Sequence, residues 1–470
     1  MPEGDGRPGS ARLIPRAVVM ILGSALVGLA AHEAGFTRAQ TLSSAIFILI
    51  VLATLCFWHF RLAIAFIGIA ALLGTKALTL ESFIASSELD IILFLVGMMV
   101  TVGVLKELGL FTWIIQMVIG MRRMTGPVFT VTVVFLSALL ACMVDEVTSI
   151  VFMAALIFQV CDTLKIRPMP FLLISIMATN IGSSGTMLGN PVGILIGAKA
   201  GLTFIDFLES AFPIMVGSLC IALGVLVWWY RKEIKVLSER LEARRGMGLG
   251  LGPLVEVPYR RALAILVGMI ALIASHHFLE DRLGVAKNTI LIVAPLFIAG
   301  VLMIWRHERA RHYIETEVEW WTLLFFMMLF AVAGTLEHTG VTAEVAASFT
   351  GFFGKDVGVL TPVIIFTTAV GSAFVDNVVF VAAFIPVVQN LVNELGDRTL
   401  WWALLFGACF GGNITMIGST ANIVALGMLE KRYRTQIHFV EWLKVGALVG
   451  LVTSAAAWAA IVLARWLFSW

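Results

Sequence analysis

The sequence predicts an all-α polytopic membrane protein. About 11 spans plus two re-entrant hairpins form two inverted-topology repeats behind one extra N-terminal span. Three observations carry this expectation. Hydrophobic residues make up 60% of the 470 positions and charged residues only 13%, against about 25% charged in a soluble domain. Apolar runs approaching the roughly 20 residues needed for a span recur from Ala17 to Phe468. Four short motifs of the first half return, in order, in the second. Alternating segments of about ten residues, the mark of a transmembrane barrel, do not occur.

Residues 1–40 read as a tail and the extra span, with the apolar run at 14–32. Arg7, Arg12 and Arg16 ahead of Ala17–Ala31 imitate a signal peptide, but the topology closes with a retained span. The first repeat, 41–230, carries spans at 42–57, 61–76 and 89–107, then an amphipathic piece near 110–121. Two apolar arms follow (127–164), then a Gly-interrupted segment (169–199) and a span at 210–230. Residues 231–261 form a basic linker, expected on the cytoplasmic side, with eight Lys or Arg. Its run Gly246-Met247-Gly248-Leu249-Gly250-Leu251-Gly252 is too loose for a phosphate-binding loop and reads as a flexible joint. The second repeat, 262–470, gives spans at 262–277, 288–305 and 320–337, arms at 357–394, an interrupted segment at 400–428 and a last span at 443–468.

Duplication rests on specific residues. Thr186-Met187-Leu188-Gly189 matches Thr415-Met416-Ile417-Gly418 at an offset of 229, as Gly97-Met98-Met99 matches Phe326-Met327-Met328. Val144-Asp145-Glu146-Val147 lies 231 before Val375-Asp376-Asn377-Val378. Thr203 to Leu208 lies 235 before His438 to Leu443. Four matches in order at nearly constant offset indicate a repeated unit.

Orientation follows from charge. With each pair of arms as a re-entrant hairpin, a repeat has five crossings, an odd number, so the two repeats are inverted. Twenty-four of the 32 Lys and Arg then share the side of the N-terminus and linker, which makes that side cytoplasmic and the C-terminus external. Two full crossings per pair of arms would give the same count, because the tips carry no Lys or Arg.

Charged side chains at membrane depth cost about 2.5–3.5 kcal/mol on insertion scales, so they are expected to face a partner, a cavity or cargo. Four polar clusters stand there, two per repeat. The first tip holds Asp145, Glu146, Thr148 and Ser149; the first interrupted segment holds Asn180, Ser183, Ser184 and Thr186, then Asn190-Pro191. The second tip is Ser372-Ala373-Phe374-Val375-Asp376-Asn377. The second interrupted segment holds Asn413 and Thr415, then Ser419, Thr420 and Asn422. Small residues alone would indicate helix packing. Small residues joined to carboxylates and amides in matched positions indicate a binding site, because broken helices present free N–H and carbonyl groups to ions.

The clusters contain three carboxylates and no Lys, Arg or His. A cation, a proton or a neutral hydroxylated solute therefore fits better than a bare anion. Competition between a proton and cargo for one carboxylate is the simplest basis for exchange. The histidines fall near span ends, and five cysteines show no metal-site spacing and no disulfide framework. Cys142 and Cys409 lie within reach of the clusters and invite a soft-metalloid reading, though membrane cysteines more often serve as small packing residues. No His-Glu-x-x-His, Gly-x-Ser-x-Gly or paired metal motif is present, so an enzyme is not expected. No cofactor and no nucleic-acid partner are expected either.

At these residues the chain resembles the ion transporter superfamily, in its arsenite-pump, NhaD-type antiporter and melanocyte P-protein branch. The resemblance lies in Val144-Asp145-Glu146-Val147-Thr148-Ser149 and in Ser372 to Asn377, followed by Phe380-Val381-Ala382-Ala383 and Ile385-Pro386-Val387-Val388. It is strongest from Gly411 through Asn422 and continues over His438 to Gly446. It implies a midplane site, a homodimer and an elevator-like motion. It also implies site roles for Asp145, Glu146, Thr148, Asn180, Asp376, Asn377, Asn413, Thr415 and Asn422. Two departures stand out. Glu146 replaces the Asn usual at the first tip of P-protein relatives, and Asn190-Pro191-Val192-Gly193 lacks the usual Pro-Pro-Asn ending. Dicarboxylate symporter relatives carry Ser-Asn-Thr at the tips instead of acids.

The expected activity is therefore secondary active transport in the cytoplasmic membrane, with protons or sodium as coupling ion. Arsenite or antimonite export and sodium/proton exchange are the leading cargo assignments. A dicarboxylate or citrate importer is the weaker alternative, and a passive channel weaker still.

Overall fold

A computed structural model describes residues 10–57, 60–121, 123–252 and 255–468. Arg7 and Arg122, two of the 24 basic residues expected on the cytoplasmic side, and His59, one of the histidines near span ends, lie outside them. Among the described residues every regular element is helical. Nine helices are long and apolar enough to cross a membrane, or up to 11 if each of two bent pairs is one span. The bent pairs are Arg260–Ala274 with His276–Leu283 (55°) and Thr289–Trp305 with His307–Glu317 (104°). Four of the nine are the expected arms: Gly126–Met143, Glu146–Leu164, Val357–Phe374 and Asn377–Leu395.

The chain divides into two compact units. The first comprises residues 1–89, 320–352 and 382–391. Thr37 starts its helix Arg38–Cys56 with a capping box: its hydroxyl accepts from Gln40 N at 3.3 Å, and Gln40 Oε1 accepts from Thr37 N at 2.8 Å. Small residues set the close approaches. Gly68 lies against Ile46 and Ile50, and Gly334 against Ser86. The buried Arg61 guanidinium sits 4.7 Å from the centre of the Phe325 ring, where the ring quadrupole favours the charge.

The second unit comprises residues 90–319, 353–381 and 392–470 and contains all of the polar clusters. Each interrupted segment is a broken helix. The first has halves Met169–Gly182 and Pro191–Ala200, the second Thr399–Gly411 and Thr420–Tyr433. Glycine-rich loops interrupt both, and Pro191 opens its half at a position where its missing N–H costs nothing. The final helix, Phe439–Phe468, presses on the second broken helix through Gly446 and Gly450. A side chain at Gly446 would meet the Asn413 and Ile414 carbonyls, and Trp442 Nε1 donates to the Asn413 carbonyl at 3.0 Å.

The basic linker is more ordered than its composition suggests. Residues Arg231–Gly246 form a helix whose Ile234, Leu237 and Leu241 are buried. It lies across the start of the first arm: Gly126 N donates to Ser238 Oγ at 2.9 Å, and Arg245 Nη2 to the Met124 carbonyl at 2.5 Å. Beyond it, Leu251 is buried again and its carbonyl accepts from Thr163 Oγ1 at 3.3 Å. The loose joint shrinks to the exposed stretch 246–250, where Gly248 takes φ +70°.

Candidate functional site

Four helix N-termini, each opened by a polar side chain, belong to one cluster. Asp145 caps the second arm, accepting from Thr148 N at 2.7 Å; Asp376 caps the matching arm of the second hairpin, accepting from Val378 N at 3.1 Å. Asn190 caps Pro191–Ala200 through Gly193 N at 3.0 Å, and Ser419 caps Thr420–Tyr433 through Ala421 N at 3.2 Å. These residue types are the favoured caps because their short side chains reach otherwise unpaired N–H groups. Each N-terminus also carries a partial positive charge. The cluster is thus positive in its dipoles while its formal charges are negative.

Glu146 lies between two of these termini. Its Oε2 is 3.5 Å from Asn190 Nδ2 and its Oε1 is 3.3 Å from Ser419 Oγ, so the donors come from both broken helices. Only 5% of Glu146 is exposed. The same Asn190 nitrogen lies 2.9 Å from Ser183 Oγ and 3.3 Å from Cys409 Sγ. On the second hairpin, Asp376 Oδ2 accepts from Thr420 Oγ1 at 2.6 Å.

Amides tie the broken helices together. Asn180 Nδ2 donates to Asn413 Oδ1 and Asn422 Oδ1, each at 2.9 Å. Asn422 Nδ2 donates to the Gly412 and Thr415 carbonyls at 2.8 and 3.1 Å. Asn180 Oδ1 is buried and has no partner among the described residues. Asn377 turns its amide nitrogen to the Gly418 carbonyl (2.6 Å) and Ser372 Oγ (2.5 Å).

Equivalent positions of the two halves make equivalent contacts. Thr186 Oγ1 donates to the Cys142 carbonyl, and Thr415 Oγ1 to the Ala373 carbonyl. Leu188 N and Ile417 N return to those hydroxyls at 3.2 and 3.3 Å. Gly182 lies against the Ala138 backbone as Gly411 does against Ala369, because only a missing Cβ lets hairpin and broken helix touch.

Of the sequence candidates, Asp145, Glu146, Asn180, Ser183, Asp376, Asn377, Asn413, Ser419 and Asn422 come together, and Thr148 joins through its backbone N–H. Ser149, Ser184, Thr186 and Thr415 direct their hydroxyls to backbone carbonyls and secure the framework. Asn190 and Thr420, members of the polar clusters in the sequence to which no binding role was assigned, join as well. The signal for both is a cap residue followed by an apolar helix, Asn190-Pro191 and Ser419-Thr420. Cys142 turns its thiol to the Gly182 carbonyl at 2.9 Å. Among the described residues no group of three or more His, Cys, Asp or Glu is placed to hold a metal ion.

Broken helices around a polar cluster, inside a chain of many spans, define a multi-span membrane transporter. The chain belongs to the citrate transporter family of the ion transporter superfamily, whose profile matches residues 45–407 and 351–470. An uncharacterized transporter of Mycobacterium bovis is 32% identical over 84% of this chain and 91% of its own length. The human P protein is 24% identical over 87% of this chain and 57% of its own. Among solved structures, MtrF of Neisseria gonorrhoeae, described as illuminating a class of antimetabolite efflux pumps, superposes with a TM-score of 0.54. That match, 13% identical, covers 92% of this chain and 96% of MtrF, and it speaks for the fold.

Proposed function

We propose that the chain is a secondary active ion transporter of the cytoplasmic membrane, coupling protons or sodium to efflux or exchange by alternating access. The observation that carries this reading is the placement of Glu146. A buried carboxylate is held by donors from both broken helices, in a cluster whose hydrogen bonds, among the described residues, involve no Lys, Arg or His. Such a group takes up a proton or a cation from one side and releases it to the other. Asp376 and Thr420 supply a second point, where arrival of a cation would compete with their hydrogen bond. The unpartnered Asn180 Oδ1 offers a neutral oxygen to a cation or a hydroxylated solute.

In this mechanism the two hairpins, re-entrant from opposite faces, uncover the cluster in turn. The matched contacts at Thr186 and Thr415 support two inverted repeats as the origin of the two gates. The charge count supports a cytoplasmic N-terminus and an external C-terminus. A homodimer with an elevator-like motion follows from the resemblance to the superfamily. Arsenite or antimonite export and sodium/proton exchange are the leading cargo assignments.

A second reading, import of citrate or a related carboxylate, is favoured by the family's description and by the convergence of helix N-termini, which suit anions. Proteoliposomes containing the full chain decide between them. An imposed sodium or pH gradient should drive counter-movement of protons or arsenite, with citrate uptake at background. Gradient-driven citrate uptake without proton or arsenite movement would establish the second reading instead. Downhill flux alone would indicate a channel.

A further inference from the structure

We propose that Glu146 is a tethered counter-anion. Its carboxylate fills the position between two half-helix N-termini where a carboxylate cargo would otherwise sit, and so sets the specificity of the cluster. The inference rests on the proposed transport function and deepens it. Helix N-termini are ready-made anion sites, because unpaired N–H groups and the dipole act together. The halves opening at Pro191 and Thr420 are 10 and 14 residues long, and their caps, Asn190 and Ser419, direct donors at opposite oxygens of Glu146. A free carboxylate in that place would take up the same two donors.

A second observation supports a built ligand position. Asn180 Oδ1 is buried without a partner, while its nitrogen is fixed between Asn413 and Asn422. A hydroxyl or a protonated carboxyl group is the natural donor to such an oxygen, and Glu146 itself supplies none to it. The chain's own comparison points the same way: the second half carries Asn377 where the first carries Glu146. Asn377 turns back to Gly418 and Ser372 and leaves the middle to Glu146. The anion position is therefore filled from one repeat only.

The test is a binding measurement on purified full-length protein, with succinate and citrate as probes, by titration calorimetry in detergent. Wild type should show no saturable heat at millimolar probe. Glu146→Ala and Glu146→Asn should bind at least about tenfold more tightly, equivalent to about 1.4 kcal/mol. Adding Ser419→Ala or Asn190→Ala to the Glu146→Ala variant should weaken that binding again. Glu146→Ser, which also vacates the carboxylate position, serves if Ala and Asn unfold the protein, and thermal unfolding identifies which variants are folded. Equal binding by wild type and folded variants, or none by any folded variant, overturns the inference. Since binding requires no flux, a wild type that fails to move ions refutes the transport reading without touching this result.

Discussion

Asn180 and Asn413 join the two broken helices directly, amide to amide, at 2.9 Å across 233 positions of sequence. Asn422 shares the same donor, so one nitrogen organises three buried side chains. In Asn180→Ala the Asn413 and Asn422 oxygens lose that donor. An unsatisfied buried polar group costs about 1–3 kcal/mol. The variant should unfold at clearly lower temperature in detergent and lose coupled flux. An unchanged unfolding midpoint would mean the amide link holds nothing.

The two capping aspartates separate structure from charge. Asn is as good a cap as Asp, so Asp145→Asn and Asp376→Asn should fold normally, while Ala at either place costs about 1 kcal/mol more. Coupled transport should disappear in both Asn variants if the charges take part in exchange. Full gradient-driven flux in both would remove the carboxylates from the mechanism.

Thr186 and Thr415 make matching bonds to the Cys142 and Ala373 carbonyls. Replacing either by Val keeps the volume nearly unchanged but removes both the bond the hydroxyl donates and the one it accepts, at about 1–3 kcal/mol. The two losses should be similar, and the preference between competing ions should stay as in wild type. A large shift in ion preference would place the hydroxyls on the cargo instead of the framework.

Gly182 and Gly411 admit no side chain. A Cβ at either would strike the backbone of Ala138 or Ala369, which cannot rotate away. Overpacking by flexible side chains already costs about 1–3 kcal/mol. Gly182→Val and Gly411→Val should therefore yield no monodisperse protein on size-exclusion chromatography, and normal elution would refute the close approach.

Much of the architecture was legible in the sequence because membrane insertion writes it in plain composition. The arms and the broken segments appear within a few residues of their expected ends, for apolar runs, Gly and Pro mark them directly. The polar clusters were legible for the same reason, since a carboxylate at depth stands out. Roles within them were less so. Ser149, Ser183 and Ser184 look alike in sequence and all donate to backbone carbonyls, Ser149 to Ser137 on the facing arm and the other two within their own turn. Only Ser183 also accepts from Asn190. Asn190 was visible as a cluster member, but its role was not, because that role depends on Glu146, 44 positions earlier, meeting it in space. The helical linker was hidden by its charge: three apolar residues suffice to seat it, and basic residues cover the rest.

That seated linker limits where the polypeptide tolerates change. Because Ser238 and Arg245 grip the start of the first hairpin, the segment up to Arg245 belongs structurally to the half that precedes it. The chain between Gly246 and Gly250 is exposed, and its hydrogen bonds run only to the adjoining Arg244 and Arg245. Foreign sequence, a protease site or even a break in the polypeptide should be accepted there, leaving two fragments able to reassemble. A tag placed a dozen residues earlier would instead pry the hairpin from its brace.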